Sequence, residues 1–286
     1  MWNLRQGSRL LALVLVLALV AMPFMIALSH DLQRSYTITP DADLIYLGQA
    51  LRLGDGLGQS YFDHTGHAYI VMLYGWLKFW SFFGLIPGPS QAAAIATPNI
   101  DSYIQPLIVA GRGLSMTISS IFTVLMMMGA RGMGLSGSMV VAVGLVIATS
   151  QGLTAQSLVL RPELLSAMGV FAVFFALVQS QRSHRWRNLA WLSVAGASAI
   201  LSLDAKVQSI IVLLGLPILA LVLGPLRRPS LPVSADKAAI AFAAAALAVS
   251  VPFLTVVALS LATSDLGGPM TGYQGLVAGL IVGCIA

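Results

Sequence analysis

Charge is what this chain lacks most. Only 9% of its 286 residues are charged while 58% are hydrophobic, and the mean hydropathy is +0.89. A soluble domain of this size has no interior large enough for that much apolar surface, so the solvent is expected to be largely lipid. The chain has a single cysteine, Cys284, which excludes an internal disulfide and any cysteine-built metal site. Its one glutamate is Glu163. Two-residue alternation is missing from the apolar runs, which excludes a transmembrane barrel and leaves helices as the way to pair every backbone polar group in hydrocarbon. Internal repeats, low-complexity linkers and a soluble stretch long enough to fold alone are missing too. The expected fold is an all-α, multi-pass transmembrane helical bundle, a single domain over 1–286.

A formal net charge of +5 would suggest a nucleic-acid partner in a soluble protein. Here the basic residues fall in short turns between apolar runs, where they set topology, and no nucleic-acid partner is expected. The first run, Leu10 to Ser29, ends in Ala27-Leu28-Ser29, which resembles a signal-peptidase site. It is longer than a signal core, so an uncleaved anchor with a cytoplasmic N-terminus is expected. Tyr69 to Phe83 is apolar enough to span, yet nine of the 23 aromatic residues lie between Tyr61 and Phe83, and Lys78 sits mid-segment. Such a segment suits the lipid–water boundary.

If that segment stays outside, the later runs alternate: Ile104–Met128 inward, Met139–Gln151 outward, Leu164–Gln179 inward, Leu189–Leu203 outward, Val207–Leu223 inward, Ala238–Ala262 outward and Tyr273–Ala286 inward. Nine of 15 Lys/Arg but one of ten Asp/Glu then face the cytoplasm. If it spanned, every basic cluster after the first would lie outside, so the surface reading obeys the positive-inside rule. The count is about eight spans of ~20 residues in a cell (inner or plasma) membrane. The last run has no polar flank after Ala286, so the sequence is expected to stop short of a complete bundle.

What the chain does have is one polar island, Thr39 to His67, in the outer loop 30–103. Asp31, Asp41, Asp43, Asp55 and Asp63 lie in or just before it, and His64 and His67 close it. Thr39-Pro40-Asp41 reads as a helix start, with a capping hydroxyl, proline at the first position and acid in the first turn. Leu44, Leu47, Ala50 and Leu51 form an apolar stripe with Asp41, Ile45, Gln49 and Arg52 pointing elsewhere, ended by Gly54-Asp55-Gly56. Together with the aromatic segment this predicts an amphipathic juxtamembrane helix pair. Under this topology Asp41, Asp43, Asp63, His64, His67, Glu163, Asp204 and Lys206 all meet the outer boundary, where carboxylates are costly unless paired or functional.

The order Asp41-Ala42-Asp43-Leu44-Ile45-Tyr46-Leu47-Gly48-Gln49-Ala50 resembles the first outer loop of the GT-C fold membrane glycosyltransferases. So do the histidine-containing turn and aromatic helix after it, Arg112-Gly113-Leu114-Ser115, Arg161-Pro162-Glu163-Leu164, and Lys206 closing a small-residue helix. Many relatives carry His-Pro-Pro after the surface helix, where this chain has Asp63-His64-Thr65-Gly66-His67. The resemblance, mannosyl- or arabinosyl-transferase-like, implies an inverting enzyme. It would move a sugar from a polyprenyl-phosphate carrier to a glycan, lipid or protein acceptor at the outer face. Carried over, the catalytic acids are Asp41 or Asp43 as base on the acceptor, with Glu163 orienting acceptor or donor. Arg112, Arg161 and Lys206 would hold the leaving phosphate, and Asp63, His64, His67 and Tyr46 complete the substrate-binding set. It implies no certain cofactor and leaves a divalent metal open.

Plainer readings stand beside these. Asp41 alone can serve as a helix cap, Asp43 and Asp55 are expected as solvated surface acids, and Asp63-His64-x-x-His67 as a plain loop rather than a metal site. Arg161–Glu163 or Asp204–Lys206 would be structural ion pairs. A transporter or lipid-flippase component, or a non-catalytic membrane subunit, is the alternative to an enzyme.

Overall fold

The computed structural model describes residues 4–29, 32, 35–38, 40–59, 66–183, 186–206, 208, 209, 212 and 213, with the side chains of 4–13, 38 and 40–42 outside the description. The expected spans Val207–Leu223, Ala238–Ala262 and Tyr273–Ala286 therefore lie wholly or almost wholly outside the described residues. Among those described there is no strand. The order is α1 (Leu4–Ser29), a 3-10 turn (Tyr36–Ile38), α2 (Pro40–Gly54), α3 (His67–Phe82), α4 (Gln91–Ala96), α5 (Ile100–Gly132), α6 (Gly137–Ala148), α7 (Gln151–Ser157), α8 (Glu163–Arg182) and α9 (Trp186–Ala205).

Three of the described helices, α5, α8 and α9, are long and apolar enough to cross a membrane. Helices α6 and α7, bent by 56° at Thr149–Ser150, make a fourth if taken as one broken span. Within α1, whose 26 residues run from Leu4 to Ser29, the described stretch Val14–Ser29 is apolar as well. α3 is not among the long helices.

Small residues let these helices approach closely, which is how apolar helices associate where water supplies no driving force. α8 and α9 form an antiparallel hairpin in which Gly169 faces Ser202 and the Ser198 carbonyl. A Cβ at that glycine would come within 2.8 Å of the Ser202 Cβ. Phe175 meets Trp191 edge-on at 5.7 Å lower in the same hairpin. α5 runs beside α8 in the same direction, with Gly111 against Leu160 at one end and Gly129 against Phe171 further along. α1 runs opposite to α5, pairing Ala27 with Met116 and Leu19 with Met127, and Ser120 donates to the Val20 carbonyl at 2.6 Å.

α5 has 33 residues, about 50 Å at 1.5 Å per residue, whereas ~20 residues cross the hydrocarbon of a bilayer. Arg112 to Gly132 is already that long. The preceding turns are sheathed by α3, which runs antiparallel to them. Tyr69 hydrogen-bonds Ser115 at 3.0 Å, and Trp76 Nε1 donates to the Ala110 carbonyl at 2.7 Å. The buried face of α3 is Tyr69, Ile70, Leu73 and Leu77, a stripe at helical spacing.

α2 starts at Pro40, as its first turn predicts. Its stripe is broader than the sequence pattern implies. Leu47, Ala50 and Leu51 are buried, but so are Gln49, expected to point away, and Asp43, expected to be solvated. Asp55 instead accepts the Ala92 N–H at 2.9 Å, at the start of α4. Partial burial would raise its carboxyl, but hydrogen bonds from Ser90 and from the N–H groups of Ala92 and Gln91 hold it below the usual value.

Charges segregate by end. Arg131 and Arg182 sit where α5 and α8 finish, with Arg182 donating to the Gly132 carbonyl, and Arg187 follows at the start of α9. Asp43, Arg112, Glu163 and Lys206 lie at the opposite end.

Candidate functional site

Two ion pairs organise that opposite end. In the first, Asp43 Oδ2 receives Arg112 Nη2 at 2.6 Å, the two side chains being 0% and 1% exposed. Asp43 Oδ1 accepts the Leu160 N–H at 3.0 Å, and Arg112 Nη1 donates to the Leu32 carbonyl at 2.8 Å. One carboxylate thus ties the first turn of α2 to α5 and to the segment between α7 and α8. The guanidinium adds the chain that follows α1. Beside it, Ser115 Oγ donates to the Val159 carbonyl at 2.8 Å while meeting the Tyr69 hydroxyl. Buried charge is tolerated here because each partner is multiply hydrogen-bonded, the condition under which mutual attraction offsets desolvation.

Tyr46 packs edge-to-face on Tyr69, centroids 5.6 Å apart. Gly66 enters the same corner with φ 148°, and a Cβ there would sit 3.1 Å from the Tyr46 ring and 3.4 Å from Pro162. Both the backbone angle and the space call for glycine. His67, the first residue of α3, is buried, and burial holds its imidazole down at about 4. It is therefore neutral at pH 7, a state that its place at a helix N-terminus also favours.

The second pair joins Glu163, in the first turn of α8, to Lys206, just beyond α9. Glu163 Oε1 accepts from Lys206 Nζ at 2.6 Å, with the side chains 31% and 34% exposed. The antiparallel hairpin accounts for the meeting, because it returns the end of α9 to the start of α8. The rival pairings Arg161–Glu163 and Asp204–Lys206 are replaced by this one. Arg161 is exposed, and the Asp204 carboxylate is reached by the Ala68 N–H of α3.

The Glu163–Lys206 pair stands at one end of a groove of ≈ 500 Å³. Along α8 its wall is Glu163, Ser166, Ala167, Val170, Phe171 and Phe174, one face that passes from a polar first turn into apolar turns. From Glu163 to Phe174 this is about 16 Å of helix. Gln208, Ser209 and Val212 close the other side. The groove thus carries one ion pair at one end and mainly hydrocarbon walls beyond it.

The sequence-predicted residues thus separate. Asp43 and Arg112 come together with each other, away from solvent. Glu163 and Lys206 come together at the groove. Tyr46 and His67 pack into the corner between α2, α3 and Pro162. Asp41 lies on the backbone of the first turn of α2, two residues from the buried pair, and its side chain is outside the description. Asp63 and His64 lie outside the described residues. Among those described, no group of three His, Cys, Asp or Glu side chains is placed to hold a metal ion. Sequence reasoning missed the Leu160 N–H, the Tyr69–Ser115–Val159 chain and Ser209. None has a local signature: the partners of the first two are backbone or far away in the chain, and Ser209 Oγ meets none among the described residues.

No family model, curated protein or solved structure matches this chain.

Proposed function

We propose that the chain is an inverting glycosyltransferase that moves a sugar from a polyprenyl-phosphate carrier to an acceptor at the outer face of a cell membrane. In this reading it is a multi-pass protein with a cytoplasmic N-terminus, and α2 and α3 form a juxtamembrane helix pair on the outer side. The observation that carries the proposal is the half-exposed Glu163–Lys206 pair at the end of an apolar groove. The gathering of Arg131, Arg182 and Arg187 at the other end supports the orientation.

Chemically, an acceptor hydroxyl attacks the anomeric carbon. The bond from that carbon to the phosphate oxygen breaks, and the phosphate leaves with the electron pair. The proton goes to a carboxylate within hydrogen-bond reach. Asp43 is engaged by Arg112 and the Leu160 N–H, so the base in this reading is Asp41, two residues before it in the first turn of α2. Lys206 balances charge on the departing phosphate, and Glu163 orients the sugar. Arg112, fully buried and bonded to Asp43 and Leu32, is a positioning residue and not a phosphate ligand.

The rival is a transporter or flippase component, and the 56° bend between α6 and α7 favours it, since broken helices line transport sites. Against it, the buried hydroxyls further along α5 are satisfied locally: Ser119 donates to the Ser115 carbonyl and Thr123 to the Ser119 carbonyl. Both hydroxyls are thereby turned back onto their own helix rather than toward a path through the described residues. Membranes carrying the chain, supplied with a panel of polyprenyl-phosphate sugars, are expected to transfer one of them to an acceptor. Lys206→Met should abolish that transfer. Failure of every donor, with the protein present, would sink the enzyme reading. A cysteine replacing the exposed Ala93 in a Cys284→Ser background should react with an impermeant reagent only from outside, and labelling from the cytoplasmic side alone would overturn the orientation.

A further inference from the structure

The head of the α8–α9 groove holds polar atoms that the pair itself leaves unmatched. Ser209 is 7% exposed, lines the groove, and its Oγ meets no hydrogen-bond partner among the described residues. Glu163 is bonded through Oε1, but its other oxygen, Oε2, is buried and likewise unmatched among them. Burying a hydroxyl or carboxylate oxygen without a partner forfeits its hydration with nothing in return, so two in one groove mark a place where something else completes the bonding.

The two orphans ask for opposite things. Ser209 offers an O–H donor, and Lys206 beside it offers ammonium donors, so both call for an acceptor that tolerates positive charge. Glu163 Oε2 is an acceptor only, so it calls for a donor. One cation shared with one carboxylate suits a singly charged head and not a pyrophosphate. Beyond the head, Val170, Phe171 and Phe174 offer only hydrocarbon.

We infer that Ser209 and Lys206 together hold the phosphoryl oxygens of a phosphodiester whose other substituent carries a hydroxyl, and that this hydroxyl donates to Glu163 Oε2. The ligand class is a glycosyl phosphate esterified to a long apolar chain. This deepens the proposed function and rests on it for the identity of the apolar chain. It adds a residue, Ser209, and a division of labour that the ion pair alone does not specify.

The test is binding, read without transfer, on the full chain purified in detergent. The probes are farnesyl phosphoryl-mannose and farnesyl methyl phosphate, which share the chain and the charge but differ in hydroxyls, with farnesol as the uncharged control. The wild type is expected to prefer the mannosyl ester. Ser209→Ala should weaken both phosphates about tenfold, the size of a lost hydrogen bond to a charged group, and leave farnesol unchanged, while Ser209→Thr retains binding. Glu163→Gln should bind the methyl ester at least as well as the wild type, because Lys206 loses its competitor, and should lose the preference for the mannosyl ester. Wild-type affinity for both phosphates in Ser209→Ala, or an equal loss of farnesol, overturns the assignment. A chain that binds in this pattern but transfers no sugar contradicts the transferase reading and leaves the site standing.

Discussion

The Asp43–Arg112 and Glu163–Lys206 pairs share an N···O separation of 2.6 Å and differ in almost everything else. The first is closed off from solvent and cross-braces four parts of the chain: the segment after α1, α2, α5 and the approach to α8. The second is a third exposed, joins only the two ends of one hairpin, and faces a groove. A short distance therefore says little about role. What distinguishes them is how many of their remaining hydrogen-bonding positions are filled from within the fold. The buried pair is a brace. The partly exposed one borders the groove and leaves Glu163 Oε2 unmatched among the described residues.

The comparison breaks most sharply if the brace is cut. Asp43→Ala or Arg112→Ala should each cost about 3–5 kcal/mol, because the survivor becomes an uncompensated buried charge. The thermal midpoint in detergent, or loss of extractable protein, reads this directly. Asp43→Leu combined with Arg112→Met should recover most of the loss, so the two changes are strongly non-additive. Arg112→Lys should not rescue, since an ammonium cannot serve both the Asp43 carboxylate and the Leu32 carbonyl in the same geometry.

Acid should loosen the same corner by a smaller amount. His67 is held at about 4 in the fold, below its ordinary 6.5. Between those values the unfolded chain binds a proton that the folded chain refuses, so stability falls as pH drops from 6.5 toward 4 and is fully retained above that window. The contribution lost by pH 5 is about 2 kcal/mol. Unfolding midpoints between pH 7 and 5 should fall less steeply in His67→Gln. An equal slope in both proteins would show that His67 is not the group responsible.

The smallest effect on stability belongs to the groove pair. Glu163→Gln and Lys206→Met should shift stability by less than about 1 kcal/mol, since a solvent-screened pair contributes little. Their effect should appear in transfer and ligand binding. A stability loss as large as that of Asp43→Ala would make the groove pair a second brace.

How much of this was legible in the sequence follows from the range over which each force acts. Helical class, the start of α2 at Pro40 and the return of Lys206 to the level of Glu163 follow from hydrophobic period, capping chemistry and span length, all local. The burial of Asp43 does not. In the text it is one acid among several in a polar stretch, and its partner lies 69 residues away. Gln49 departs from its expected face for a related reason: helical spacing gives one face, but α2 is packed by both α3 and α5. The bend at Thr149–Ser150 does have a local mark, since Thr149-Ser150-Gln151-Gly152 is polar and Ser150 caps α7 through the Leu153 N–H, but such a stretch reads equally as the end of a span. Ser209 is invisible by composition, and only its enclosure without a partner singles it out.

The most direct test of the catalytic account is the rate of sugar transfer by Asp41→Asn, at matched abundance and thermal midpoint, from whichever polyprenyl-phosphate sugar the wild type uses. Removing a general base should slow transfer about 100-fold or more. Donor binding at the Glu163–Lys206 groove should be unaffected. Full activity in Asp41→Asn would contradict the account.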